Sequence, residues 1–434
     1  MTKRNASHDS TSFARNALLM FLALRAGDAV SLAAGMWFVP RYVSPEDIGA
    51  VLPVTSFATF LSLPVFALAM AVMKESAVLS ARGERGRVKS LLGGVFVAAA
   101  TSLMLVLTAA AVAVPRYLDM MRVSDASAGF LVVAAAFLGC VAPVYTDALQ
   151  SLKRFRALAA IEVVGSFVRF VAMLSTMPIR ALTGYFAGQA ALPAFRIVGS
   201  VFALRRDLSV KSEPYWNRDS LRRLAMAFVA ILAYQGVPMA ASLIEQTVMR
   251  TTLSTADSAG YYMVSRFSDF LAYLTFPLLL VMFPYTASAA DRLGSTRPFV
   301  LKCSGVTLVA ATAMALAYTA FGNGLLALMP NGEDYEQYAV YMPYLTIAGA
   351  MTTCQVFYTN AEVSAGRFGF LWWLVPLHIV YPAVLALAAK LGFVNNMTAL
   401  VACISTASIL RFTFAAAAIA RRDAIDKQHA SSGT

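Results

Sequence analysis

The chain is poor in charge. Only 13% of its 434 residues are Asp, Glu, Lys or Arg, where a soluble domain carries about 25%. So few ionisable groups cannot cover a water-facing surface of this size, which sets aside a soluble globular enzyme. Cysteine is sparse as well. Cys140, Cys303, Cys354 and Cys403 each sit inside an apolar run, with no C-x-x-C pair, so they read as small apolar filler rather than metal or redox ligands. There is no H-E-x-x-H, no phosphate-cradling G-x-x-x-x-G-K-[ST] and no loop large enough for a nucleotide-sugar domain. No enzyme site, cofactor or metal is therefore expected. The first residues, MTKRNASHDSTSFARN, are too polar for a cleaved signal peptide.

What the chain has is apolar length. Hydrophobic residues make up 59% of it, with a mean hydropathy of +0.67. A window of about 19 residues finds apolar segments at 17–39, 49–72, 90–114, 127–148, 157–178, 181–204, 224–244, 259–286, 299–321, 337–361, 369–390 and 396–420. The expected fold is all-α: a polytopic membrane protein of about twelve transmembrane helices. Lys and Arg set its orientation, because positive loops resist translocation. Of 35 such residues, with Lys302 and Lys390 at span edges counted with the adjoining loops, 24 fall in the termini and even-numbered loops, 6 in the odd-numbered loops and 5 deeper inside spans. Both termini are therefore expected in the cytoplasm. The net charge of +12 then reads as a topology signal beside anionic membrane lipid, with no need for nucleic acid.

One phrase occurs twice. Tyr145–Arg156 reads YTDALQSLKRFR and Tyr358–Gly369 reads YTNAEVSAGRFG, 213 residues apart. Each copy leaves a span, the fourth and the tenth, for a cytoplasmic loop. A second pair, VSPEDIGAV at Val43–Val51 and LSTADSAGYY at Leu253–Tyr262, enters the second and eighth spans. Two matches at nearly one offset mark a duplicated six-helix unit. Six is even, so the copies form a parallel repeat, with a substrate site expected where they meet near mid-membrane. The expected organisation is a cytoplasmic tail at 1–16, a six-helix lobe at 17–204, a cytoplasmic linker at 205–223, a second lobe at 224–420 and a cytoplasmic tail at 421–434.

YVSPEDIGAVLPVTSFATFLSLPVFALAM (Tyr42–Met70) and TADSAGYYMVSRFSDFLAYLTFPLLLVMFPYTA (Thr255–Ala287) resemble polysaccharide flippases of the multidrug/oligosaccharidyl-lipid/polysaccharide exporter superfamily. The second stretch carries the Gly-x-Tyr entry and Phe-Pro exit of that family, and AGRF at Ala365–Phe368 fits the end of the tenth span. Ile48 stands where the family more often has an aromatic. The resemblance implies a flippase of the bacterial inner membrane. It would move polyprenyl-pyrophosphate-linked oligosaccharide outward for O-antigen, lipopolysaccharide or exopolysaccharide synthesis, with polysaccharide polymerase and glycosyltransferases as partners. A multidrug or organic-cation antiporter of the same superfamily, and a non-transporting membrane subunit of a polysaccharide synthase, remain alternatives.

Charges inside the spans carry the residue-level signal: Arg25 and Asp28, Glu162 and Arg169, Arg196, Arg266 and Asp269, and Arg411. An arginine at mid-bilayer costs roughly 2.5–3.5 kcal/mol, so five facing lipid would cost on the order of 15 kcal/mol, above typical total stability. They must face partners or a hydrated cavity. The i, i+3 pairs Arg25–Asp28 and Arg266–Asp269, and the i, i+7 pair Glu162–Arg169, are candidate structural ties. Five arginines against three deep carboxylates leave positive charge over, which suits a diphosphate. Arg25, Arg196, Arg266 and Arg411 are the candidate substrate-binding residues, and Asp28, Asp269 and Glu162 the candidate coupling residues. Asp147, Glu245 and Glu362 read as wet groups near span ends. Tyr234, Tyr261, Tyr262, Tyr273, Trp372 and Trp373 are sugar-stacking or interface aromatics, and His378 is the lone intramembrane histidine. Pro53, Pro64, Pro238, Pro277 and Pro284 mark kinks.

The orientation is testable by cysteine accessibility. Single cysteines replacing Arg87, Arg154 and Arg218 are expected to label from the cytoplasmic side only, and those replacing Arg122 and Asp334 from outside. Outside labelling of Arg154→Cys would overturn the scheme.

Overall fold

The computed structural model of the protein describes residues 22–432 apart from 24, 31, 124, 153, 207–208, 294–296 and 365–366. The expected N-terminal tail lies outside the described residues. Those described form helices and loops, with no strand among them. They fall into two compact units, Met1–Leu243 and Ile244–Thr434, and the division lies inside the helix Arg218–Thr252.

In the first unit, helical residues around Arg25 and Asp28 lead through a π-helical turn, Ala34–Phe38, and a short helix, Val39–Tyr42, into the second span. That span is broken. Pro45–Leu61 and Leu63–Val72 are bent by 56°, beside Pro64, which has no N–H for the carbonyl one turn before it. Helices Arg85–Met120, Ala126–Ser151, Phe155–Thr176 and Ala181–Leu204 follow as spans three to six. Spans seven to nine are Arg218–Thr252, Thr255–Leu293 and Arg297–Ala327. After the 3₁₀ segment Gly332–Tyr341, spans ten to twelve are Met342–Ser364, Leu371–Lys390 and Met397–Ser432. Among the described residues, eight helices are long and apolar enough to cross a membrane, and the bent pair makes a ninth. Several overrun their expected limits. Arg85–Met120 has 36 residues, about 54 Å at about 1.5 Å per residue, against about 30 Å of hydrocarbon. Hydropathy sees only the part in lipid.

The duplication is built into local geometry in each unit. Ser44 caps the second span by accepting the Asp47 amide at 3.3 Å, and Ser254 caps the eighth by accepting the Asp257 amide at 3.0 Å. The twin phrases end alike: the Arg154 amide reaches back to the Leu149 carbonyl at 2.9 Å and the Arg367 amide to the Glu362 carbonyl at 2.8 Å. These five-residue back-bonds use carbonyls that a helix end otherwise leaves unpaired. Tyr117 stacks on Phe57 and donates to the Pro53 carbonyl at 3.2 Å; Tyr318 meets Phe267 edge-on and donates to that residue's carbonyl at 3.0 Å. A tyrosine near the exit of spans three and nine thus anchors each to its preceding span.

The segment after the sixth span is docked onto the first unit. The Trp216 indole donates to the Ser90 carbonyl at 3.2 Å and Lys89 Nζ to the Val210 carbonyl at 2.9 Å. The Glu213 amide reaches the Gly86 carbonyl at 3.2 Å, and Arg223 pairs with Glu75 at 3.1 Å. Tyr215 is buried, and burial together with Glu75 pushes its phenol up to about 12. Gly94 makes the docking possible, since a Cβ there would lie 2.3 Å from the Trp216 ring.

Gly94→Val is therefore expected to lift this segment. In inside-out vesicles it should speed tryptic cleavage near Lys211 severalfold, and Trp216→Ala should do the same. Unchanged cleavage in both would mean the docking is not held at this point.

Candidate functional site

The charged intramembrane residues gather within each unit. In the first, Arg25 Nη1 lies 2.9 Å from Asp28 Oδ2. Asp28 is also within electrostatic reach of Arg169 and Arg196. Glu162 Oε2 receives Arg196 Nη2 at 2.5 Å and Nε at 3.1 Å. The fifth helix alone predicts a partner for Glu162 at Arg169; the fold supplies a two-pronged one from the sixth, Arg196, and brings Arg169 within reach of Asp28. Glycine permits it. A Cβ at Gly188 would lie 2.2 Å from Met173 Cγ, and one at Gly184 would lie 2.4 Å from the Met177 backbone nitrogen, so the fifth and sixth helices cross at near contact. The first span approaches the fifth closely as well, with Gly27 facing Ser166 Oγ, whose hydroxyl donates to the Glu162 carbonyl at 2.8 Å.

Beside this cluster, within the same unit, is a cavity of ≈ 330 Å³ lined by Thr55, Thr59, Gly139, Tyr185, Gln189 and Arg196 among others. Sequence reasoning missed the neutral members. Thr, Tyr and Gln carry no signal inside an apolar run until the fold turns them to one space.

In the second unit, Arg266 Nη1 is 3.1 Å from Asp269 Oδ2, and the Arg266 guanidinium lies 5.0 Å from the Tyr262 ring centre. A second group joins helices seven, eleven and twelve. The Tyr381 hydroxyl donates to Glu245 Oε2 at 2.8 Å, the Arg411 guanidinium lies 4.9 Å over the Tyr381 ring, and Arg411 is within electrostatic reach of Glu245 and His378. His378 is buried, its Nδ1 2.9 Å from the Leu374 carbonyl. A carbonyl only accepts, so Nδ1 carries a proton in this bond. Trp373 stacks between Tyr358 and Phe414 and is used internally, while Trp372 is 87% exposed.

Two expectations need correction. Glu245 is not a wet group at a span end: it sits two turns inside its helix, bonded to Tyr381 and near Arg411. Glu362 is buried, 3% exposed. The helix of Glu245 runs on to Thr252, past the hydropathy limit, whereas Glu362 lies two residues before the end of its helix and is covered by packing. The Asp147 side chain lies outside the described residues.

Solved structures match this fold over nearly the whole chain. An inward-facing multidrug resistance transporter of the MATE family, MOP superfamily, aligns with TM-score 0.68 and 15% identity over 91% of this chain and 95% of its own. The lipid II flippase MurJ, in an inward closed conformation, aligns with TM-score 0.67 and 11% identity over 93% and 87%. A MOP superfamily transporter from Pyrococcus furiosus aligns with TM-score 0.56 and 14% identity over 94% and 95%. The fold is that of the MOP superfamily transporters. No protein-family model and no curated protein matches the chain.

On this MOP fold the two units differ in charge. The first gathers Arg25, Arg169 and Arg196 against Asp28 and Glu162, a surplus of one positive charge. In the second, Glu245 joins Asp269 in balancing Arg266 and Arg411. With Glu245 added to the span charges, and buried Arg250 set against buried Glu362 in the second unit, the positive excess read from the sequence narrows by one charge and lies in the first unit.

A double-mutant cycle measures the tie. Arg196→Ala strands Glu162 and is expected to cost about 3 kcal/mol of unfolding free energy in detergent. Adding Glu162→Ala should recover at least half of it. Additive destabilisation would mean the two side chains act independently.

Proposed function

We propose that this chain is an inner-membrane flippase. It moves polyprenyl-pyrophosphate-linked oligosaccharide to the outer leaflet for cell-surface polysaccharide synthesis, by alternating access of its two six-helix lobes. The observation that carries the reading is the net positive charge of the cluster that holds Arg25, Arg169 and Arg196 in the first unit. A planar guanidinium binds two phosphate oxygens at once, where lysine offers a point charge. A likeness in fold to a protein described as a lipid II flippase supports it. On this reading Arg25, Arg196, Arg266 and Arg411 contact the substrate, Asp28, Glu162 and Asp269 are sites where proton or sodium binding biases the conformational equilibrium, and polymerase and glycosyltransferases act on either side of the transport step.

A second reading, export of organic cations or drugs, is favoured by the carboxylates Glu245 and Asp269 of the second unit and by the likeness to multidrug transporters. Surplus arginine opposes a cationic substrate in the first unit.

Proteoliposomes separate the two. Flipping of a lipid-linked oligosaccharide, with no uptake of organic cations, is the expected result; the reverse would favour the antiporter. Alanine at Arg25, Arg196, Arg266 or Arg411 should lower flipping at least about tenfold for each two-pronged phosphate interaction it removes, with lysine restoring only part. Declines that merely track membrane abundance would reduce these arginines to structural ties. Asp28→Asn with Asp269→Asn should abolish gradient-driven transport while the protein still inserts.

A further inference from the structure

The cavity inside the first unit sets a few polar groups in a largely apolar wall. At its cationic end, Arg196 gives Nε and Nη2 to one oxygen of Glu162, at 3.1 and 2.5 Å. The Nη1 side of the guanidinium is not used by that pair. On the wall, the Thr55 hydroxyl donates to the Val51 carbonyl at 2.7 Å and the Thr59 hydroxyl to the Thr55 carbonyl at 2.8 Å. Their protons are committed to the helix, so what they offer a ligand is lone pairs. Gln189 and Tyr185 supply both donors and acceptors.

A bare anion would find one cationic partner here and two acceptors of the wrong sign. An organic cation would meet Arg196. A ligand with hydroxyl donors beside an anionic group satisfies the polar residues, and Val132, Ala135, Phe186 and Leu192 leave apolar wall for the carbon face of a ring. The volume, ≈ 330 Å³, is several times the roughly 30 Å³ share of one liquid water and admits a sugar ring with its phosphate.

We propose that this cavity is a subsite for a glycosyl phosphate, the junction of the first sugar and the diphosphate in a lipid-linked glycan. Arg196 takes the phosphate, while Thr55, Thr59 and Gln189 take the ring hydroxyls. Glu162 holds Arg196 when the site is empty and competes with the phosphate for it. The proposal rests on the flippase reading and adds where the sugar-phosphate junction binds and what opposes it.

The test is equilibrium binding to the full-length protein in nanodiscs. The two probes are a short-chain polyprenyl diphosphate bearing one sugar, and the same lipid diphosphate without it. Gln189→Ala, and Thr55→Val with Thr59→Val, should weaken the sugar-bearing probe about tenfold, the scale of removing one or two hydrogen bonds, and leave the sugar-free probe within twofold. Arg196→Gln should weaken both. Glu162→Gln, which removes the competing charge and keeps the shape, should tighten both severalfold. If Arg196→Gln does not fold, the uncharged wall variants decide alone. Wild-type binding of the sugar-bearing probe that every wall variant leaves intact would overturn the subsite and spare the flippase reading. Failure of the wild type to bind either probe, with organic cations bound instead, would overturn both.

Discussion

An ionised side chain in hydrocarbon must be paired or hydrated, and that constraint organises the interior of both units. A buried pair broken on one side costs about 3–5 kcal/mol, comparable to much of a protein's net stability. The helices that carry Arg25, Asp28, Glu162, Arg169 and Arg196 are therefore bound to one another by charge as well as by shape. The close crossing at Gly184 and Gly188 follows the same logic. Backbones that approach this nearly let Arg196 reach Glu162 on the neighbouring helix instead of extending toward water.

The two copies of the six-helix unit keep the same joints and differ in their charges. Caps at Ser44 and Ser254, back-bonds at Arg154 and Arg367, and anchors at Tyr117 and Tyr318 recur in both. These are backbone problems, the same wherever a helix starts, stops or meets its neighbour. The polar interiors have diverged. The first unit holds surplus arginine and an adjoining cavity; the second closes a balanced network of Glu245, Tyr381, Arg411 and His378.

The docked segment around Trp216 adds a constraint of another kind. Its partners are Gly86, Lys89, Ser90 and Glu75, all at one end of the second and third spans. Connections of this length are usually the loosest part of a membrane protein. Here, within the first unit, the start of the seventh helix is tied to the second and third spans by backbone, indole and ion-pair contacts together.

The amino-acid sequence by itself determined the all-α polytopic class, the order of the helices and the duplication. Apolar length and the paired phrases at Tyr145 and Tyr358 are properties of the linear chain. It also marked Arg25–Asp28 and Arg266–Asp269 as pairs, because residues three apart share a helix face whatever the tertiary structure. Tertiary structure alone decided the partners that lie on different helices. Arg196 meeting Glu162, Tyr381 and Arg411 meeting Glu245, and Thr55, Thr59 and Gln189 facing one cavity all depend on how helices cross. Crossing is set by small residues whose close approach leaves no periodic signal. The surroundings of Glu245 and Glu362 were decided there too, since a carboxylate past a hydropathy limit is wet or covered according to which helices pack against it.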